Sequence, residues 1–120
     1  MILVDTSVWI DFFRGRAPEL AEALDRGEVV LHPWVLGELT LGQRGARWSS
    51  MLRDLALLPQ ADVVSDDEVL AFIEARDLGG KGIGWVDAQL LAAALSQDST
   101  LWSVDKRLTL AARTAGLTTL

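Results

Sequence analysis

Three short apolar runs, residues 2–4 (Ile-Leu-Val), 29–31 (Val-Val-Leu) and 101–104 (Leu-Trp-Ser-Val), punctuate the chain, and helical periodicity fills the stretches between them. Strands that are apolar along their whole length are buried on both faces, so the sheet they form needs helices above and below it. Strand–helix alternation makes such a sheet mainly parallel and the class α/β. The intervening segments carry the punctuation of helices. Thr6 and Ser7 offer a cap before a helix over 8–13. Pro18 opens a second helix that Gly27 closes, and Pro33 opens a third through Leu41. Gly42 and Gly45 break that helix before an amphipathic one over 46–57. A strand is expected at 62–64, then a helix capped by Ser65 or Asp66 and reaching Asp77. A glycine-rich connection over 78–84 leads to an apolar helix over 85–96. After the strand at 101–104 come a helix over 106–115 and an edge strand at 117–119.

A chain of 120 residues that is 50% apolar is expected to form one domain, 1–120, with a sizeable core. It contains no cysteine and one histidine, His32, which excludes disulfides, thiolate sites and histidine-rich zinc sites. Any metal is therefore held by oxygen, as Mg²⁺ or Mn²⁺ would be. No apolar run approaches the roughly 18 residues of a membrane span, and no signal-peptide pattern opens the chain. A soluble, cytoplasmic protein with no membrane partner is expected. The net charge of −6 argues against a nucleic-acid partner, unless several acids act together as a cation site.

Four of the acids stand in apolar settings that carboxylates avoid. Asp5 directly follows Ile2-Leu3-Val4, and Asp105 ends Leu101-Trp102-Ser103-Val104. Glu38 shares a helical face with Trp34, Val35 and Leu41, and Asp87 one with Leu90, Leu91 and Ala94. A half-buried carboxylate has to be paired, protonated or bound to metal. Each has a simpler reading: Asp5 and Asp105 as helix caps, Asp87 as a partner of its helix dipole. Taken together, four acids that would repel one another are better explained by a shared divalent cation. Asp5 and Asp105 also sit at strand C-termini, where open parallel sheets place their functional crevice.

Asp5-Thr6-Ser7 after the first strand, Val35-Leu36-Gly37-Glu38-Leu39, the run from Gly84 through Asp87 to Ala94, and Leu101-Trp102-Ser103-Val104-Asp105 occur in this order along the chain. In that set the sequence resembles the PIN domain, and in particular the VapC ribonuclease toxins of toxin–antitoxin pairs. The resemblance implies a three-layer α/β/α sandwich with a mainly parallel five-stranded sheet. It implies that Asp5, Glu38, Asp87 and Asp105 hold Mg²⁺ or Mn²⁺ and act as the catalytic set. An RNA substrate, a homodimer and a VapB-like antitoxin reaching into the catalytic groove are implied with it. Thr6 and Ser7 supply the hydroxyl that the family often carries after its first aspartate.

Other residues carry less. Trp9, Trp34, Trp48 and Trp102 fit core or dimer contacts, whereas Trp85, just before Asp87, is the best placed to meet a substrate. Arg14, Arg16 and Lys81 are candidates for phosphate contacts or plain surface charge, and Lys106 and Arg107 either reach RNA or balance Asp105. His32 reads as structural. The glycines over 79–84 lack the ending of a phosphate loop and fit a flexible rim. Two other functions compete. A receiver or phosphatase domain would want a second acid close behind Asp5, where Thr6 and Ser7 stand, and a non-catalytic PIN-fold binding module would not need all four acids.

Overall fold

The computed structural model describes residues 1–42 and 45–120. In chain order it contains β1 (Ile2–Val4), α1 (Thr6–Phe13), α2 (Pro18–Asp25), β2 (Val29–Val30), α3 (Pro33–Leu41) and α4 (Gly45–Leu55). α5 (Asp66–Ala75), α6 (Trp85–Ser96), β3 (Thr100–Trp102) and α7 (Lys106–Thr114) follow. The three strands are parallel in the order β2-β1-β3, with Leu3 opposite Val30 on one side and Leu101 on the other.

Of the five expected strands, the outer two shrink to single parallel bridges, Leu31 to Gln60 and Leu101 to Thr119. The bridge at Gln60 replaces the strand expected at 62–64. There, both backbone groups of Val64 are taken by the Gln89 side chain, whose amide donates to the Val64 carbonyl and accepts from its N–H, each at 2.8 Å. A backbone satisfied by a side chain has no call for a strand partner. The expected edge strand at 117–119 keeps its place beside β3 but contributes only two rungs, Leu101 N to Thr118 O and Leu120 N to Leu101 O, each 3.0 Å.

Across the sheet the segments therefore run 60, β2, β1, β3, 119. The first connections leave β1 toward one edge and the later ones return toward the other. Right-handed crossovers then place α1 to α4 on one face and α5 to α7 on the other. The packing agrees, with α1 against α2 and α3, α3 against α4, and α5 against α6. The order reverses between β1 and β3, so the crevice of the sheet lies where these two strands end.

Local sequence explains most element starts. Pro33 sits in the first turn of α3, and the His32 ring accepts the Trp34 N–H at 3.0 Å. Ser65 caps α5, whose first turn holds Asp66, Asp67 and Glu68 against the positive end of the helix dipole. The cap of α1 is Asp5 and not Thr6 or Ser7, so this helix starts two residues earlier than the pattern of Val8 onward suggests. α4 begins at Gly45; the interruption between helices expected at Gly42 and Gly45 includes residues 43 and 44, outside the described residues. α6 is apolar all round and is the buried helix of the fold, with every residue from Ala88 to Ala94 buried between β3 and α5. Among the described residues no helix is long and apolar enough to cross a membrane.

A carboxylate cleft at the switch point of the sheet

Asp5 leaves β1 at this switch point and is only 6% exposed. Its Oδ1 accepts the Ser7 N–H at 2.6 Å, which caps α1. Its Oδ2 accepts the Ser7 hydroxyl at 3.1 Å and the Ser103 hydroxyl as well. Each serine in turn accepts a backbone N–H from the turn after β3: Val104 N on Ser7 Oγ at 3.2 Å, Asp105 N on Ser103 Oγ at 3.0 Å. Two hydroxyls thus tie the first aspartate to the backbone of the last, and each polarises the other's bonds.

Burial pushes the Asp5 carboxyl above the usual carboxylate range. The hydrogen bonds from Ser103 and Ser7 oppose that rise, and the charge of Asp87 adds to it. The sheet therefore brings Asp5 and Asp87 close enough to repel. Asp87 is half-buried in the first turn of α6, and its Oδ2 accepts the Gly84 N–H at 3.0 Å. Asp105 caps α7 through Oδ1, at 2.9 Å from Arg107 N and 3.3 Å from Leu108 N. Glu38 reaches across from α3, its Oε1 accepting the Thr6 hydroxyl at 2.6 Å.

The burial expected of all four holds fully for Asp5 alone; Glu38 and Asp105 are exposed. For Glu38 the reason is plain in the helix. The buried face of α3 carries Val35 and Leu39, while Leu41, on the face of Glu38, is 91% exposed. Of its apolar neighbours, Val35 turns into the core and Trp34 is half-buried, while Glu38 follows Leu41 to the uncovered side. Among the described residues no three acidic or histidine side chains come together as a preformed cation cage. The donors present nonetheless suit a hard cation, being oxygen only, with Asp5 raised in pKa and repelled by Asp87.

Ser103, which the sequence reading passed over, is the residue that joins Asp5 to Asp105. Its signal was a lone hydroxyl in an apolar strand, two residues before an aspartate. His32 is wholly buried, with one ring nitrogen on Trp34 N and the other 3.4 Å from Gln89 Oε1, a structural role as expected. Trp9 is buried and Trp85 is 41% exposed at the start of α6. Arg14 and Arg16 follow the far end of α1, roughly 12 Å of helix from Asp5.

The PIN domain model matches residues 2–114. The chain belongs to the PIN domain family. Its sequence is 46% identical over 118 residues to Ribonuclease VapC32 of Mycobacterium tuberculosis (strain H37Rv), covering 98% of this chain and 94% of that protein. Among solved structures, VapBC-1 from nontypeable Haemophilus influenzae superposes with a TM-score of 0.71 at 18% identity, covering 100% of this chain and 97% of that one. FitAcB from Neisseria gonorrhoeae gives 0.68 at 21%, over 100% and 96% of the two chains. These structures share the PIN fold.

Proposed function

We propose that this PIN-domain protein is a metal-dependent endoribonuclease and the toxin of a toxin–antitoxin pair. The observation that carries the reading is Asp5, buried at the switch point, whose carboxylate two serine hydroxyls tie to the turn carrying Asp105 while Glu38 is held on the adjoining Thr6. The likeness to Ribonuclease VapC32 supplies RNA as the substrate class.

In this reading Asp5 and Asp87 are the principal ligands of Mg²⁺ or Mn²⁺, and Glu38 and Asp105 complete the set directly or through water. When bound, such an ion polarises the scissile phosphate and makes a bound water acidic. The chain's own residues do the positioning. Ser7 and Ser103 fix both oxygens of Asp5, Thr6 holds Glu38 against the mouth of the cleft, and the Gly84 N–H fixes Asp87. Glu38 and Asp105 are exposed, and each is held to its neighbours through one carboxylate oxygen, which leaves the other free to face an attacking water.

The partners follow the same reading. The structural relatives include VapBC-1 and FitAB bound to an IR36 DNA fragment, and they support a VapB-like antitoxin for this chain. An apolar groove between α1, α2 and α4, lined by Trp9, Phe12, Leu24, Met51, Leu55 and Leu58, lies open as well. A homodimer would cover the open apolar face of α3 with Trp34, Leu36 and Leu41.

The test is cleavage of a mixed RNA pool by partner-free protein in Mg²⁺ or Mn²⁺. The expected result is discrete products that vanish with EDTA and with Asp87→Asn. Absence of cleavage by folded, metal-loaded protein would favour a binding module instead. The local hydrogen bonds already held by Glu38, Asp87 and Asp105 are the observation on that side.

A further inference from the structure

The chain is acidic overall, yet a groove of about 170 Å³ along α7 is lined by two cations, Lys81 and Arg107, with Leu110, Ala111 and Thr114 behind them. The glycine-rich loop shapes it. Gly82 has a φ of 78°, and a Cβ there would fall 3.1 Å from Arg107 Cδ and 3.3 Å from its Nη1. The positive φ favours glycine there, and a side chain would press on the Arg107 side chain that lies across the loop. Neither cation is paired with a carboxylate; among the described residues the one ion pair is Arg26 with Glu28.

The groove is tied to the cleft from both sides. The Arg107 N–H donates to Asp105, and three residues after Lys81 the Gly84 N–H donates to Asp87. Two like charges that converge with nothing between them make a place for an anion. Leu110, 65% exposed, lies one turn along α7 and offers apolar surface beside that place.

We propose that Lys81 and Arg107 form a phosphate subsite that holds the RNA backbone next to the carboxylate cleft, an inference that rests on the ribonuclease reading. A sugar–phosphate strand leaving the cleft meets this pair first, with its ribose against Leu110. The acidic balance of the chain then argues less against RNA, because two of its cations line one groove.

The experiment compares wild type with Lys81→Gln/Arg107→Gln and with the charge-keeping Lys81→Arg/Arg107→Lys. Thermal melting controls for folding. Binding of a labelled single-stranded RNA is followed in EDTA across a salt series, and cleavage kinetics are followed in Mg²⁺. The glutamine pair should weaken binding on the order of tenfold at low salt and flatten the log–log salt dependence by about 0.7 per charge removed. KM should rise more than kcat falls, and the charge-keeping pair should recover both. Unchanged affinity and salt slope in the glutamine pair, or a loss that charge-keeping does not recover, would overturn the subsite. So would a wild type that binds no RNA. A wild type that binds RNA but never cleaves it removes the ribonuclease reading, and the binding series then decides the subsite by itself.

Discussion

Asp5 shows how one residue serves both folding and chemistry. Its carboxylate caps α1, but burial raises its pKa, so the native state takes up a proton between the unfolded value of 3.8 and the higher folded one. Stability from this group is therefore lost as pH rises through that window, and at neutral pH the ionised form is a burden. Asp5→Asn keeps an oxygen for the Ser7 N–H and removes the charge. The metal-free variant should melt at the same or a higher temperature at pH 7 while RNA cleavage disappears; a large drop in melting temperature would make the charge structural. Ser103→Ala should leave the fold intact and cost roughly 10–100-fold in Mn²⁺ affinity or in cleavage, as loss of a ligand's hydrogen-bond partner does. His32 behaves oppositely to Asp5 with pH. Burial pushes its pKa below 6.5, and only its neutral form can accept the Trp34 N–H. Its contribution is complete above 6.5 and is lost as pH falls through the lowered folded pKa. Urea midpoints measured down this range should decline, and His32→Asn, which keeps an acceptor at the cap, should remove that part of the decline. At this scale the sequence marked Asp5 through the apolar strand before it. It overstated the burial of Glu38, because an apolar neighbourhood on a helix does not say whether a face is covered. Ser103 and Gln89 stood in plain view as lone polar residues in apolar runs, but a run gives no hint of which backbone such a side chain will meet.

Among the elements, α6 is the one on which the arrangement turns. It brings Asp87 to the cleft at its first turn and buries Gln89 on its next, where the amide takes the place of a strand beside Val64. Gln89→Leu preserves the volume but leaves the N–H and carbonyl of Val64 without partners. About 2 kcal/mol should be lost in chemical denaturation, with faster amide exchange at Val64. Loss confined to exchange, with no change in the midpoint, would mean that water replaces the amide. The helices were legible because proline, serine and glycine mark their ends and the apolar spacing marks their faces: α3 and α6 run as expected from Pro33 to Leu41 and from Trp85 to Ser96. The outer strands were less so. Whether three residues form a ladder or a single bridge depends on what else can satisfy their backbone.

At the scale of the molecule, the apolar surfaces left open are as telling as the cleft. Leu41 and the face around it make a dimer interface in the proposed reading, so partner-free protein should elute as a dimer in light scattering and Leu41→Asp should shift it to monomer without changing the melting profile of the subunit. A monomeric wild type at micromolar concentration would reassign that face to another partner.

The sequence by itself determined the class and the chemistry on offer. Continuous apolar strands between helices admit a parallel sheet covered on both faces, and a chain without cysteine and with one histidine leaves carboxylates as its metal donors. Composition, periodicity and neighbour identity are local quantities, and they were enough for that. Tertiary structure alone decided which acids meet and on what terms. The reversal of strand order between β1 and β3 opens the crevice, two serines join Asp5 to the turn carrying Asp105, and the glycine loop sets Lys81 into one groove with Arg107. These are contacts between residues far apart in the chain. The pairing of strands fixes them, and no window of sequence contains both partners.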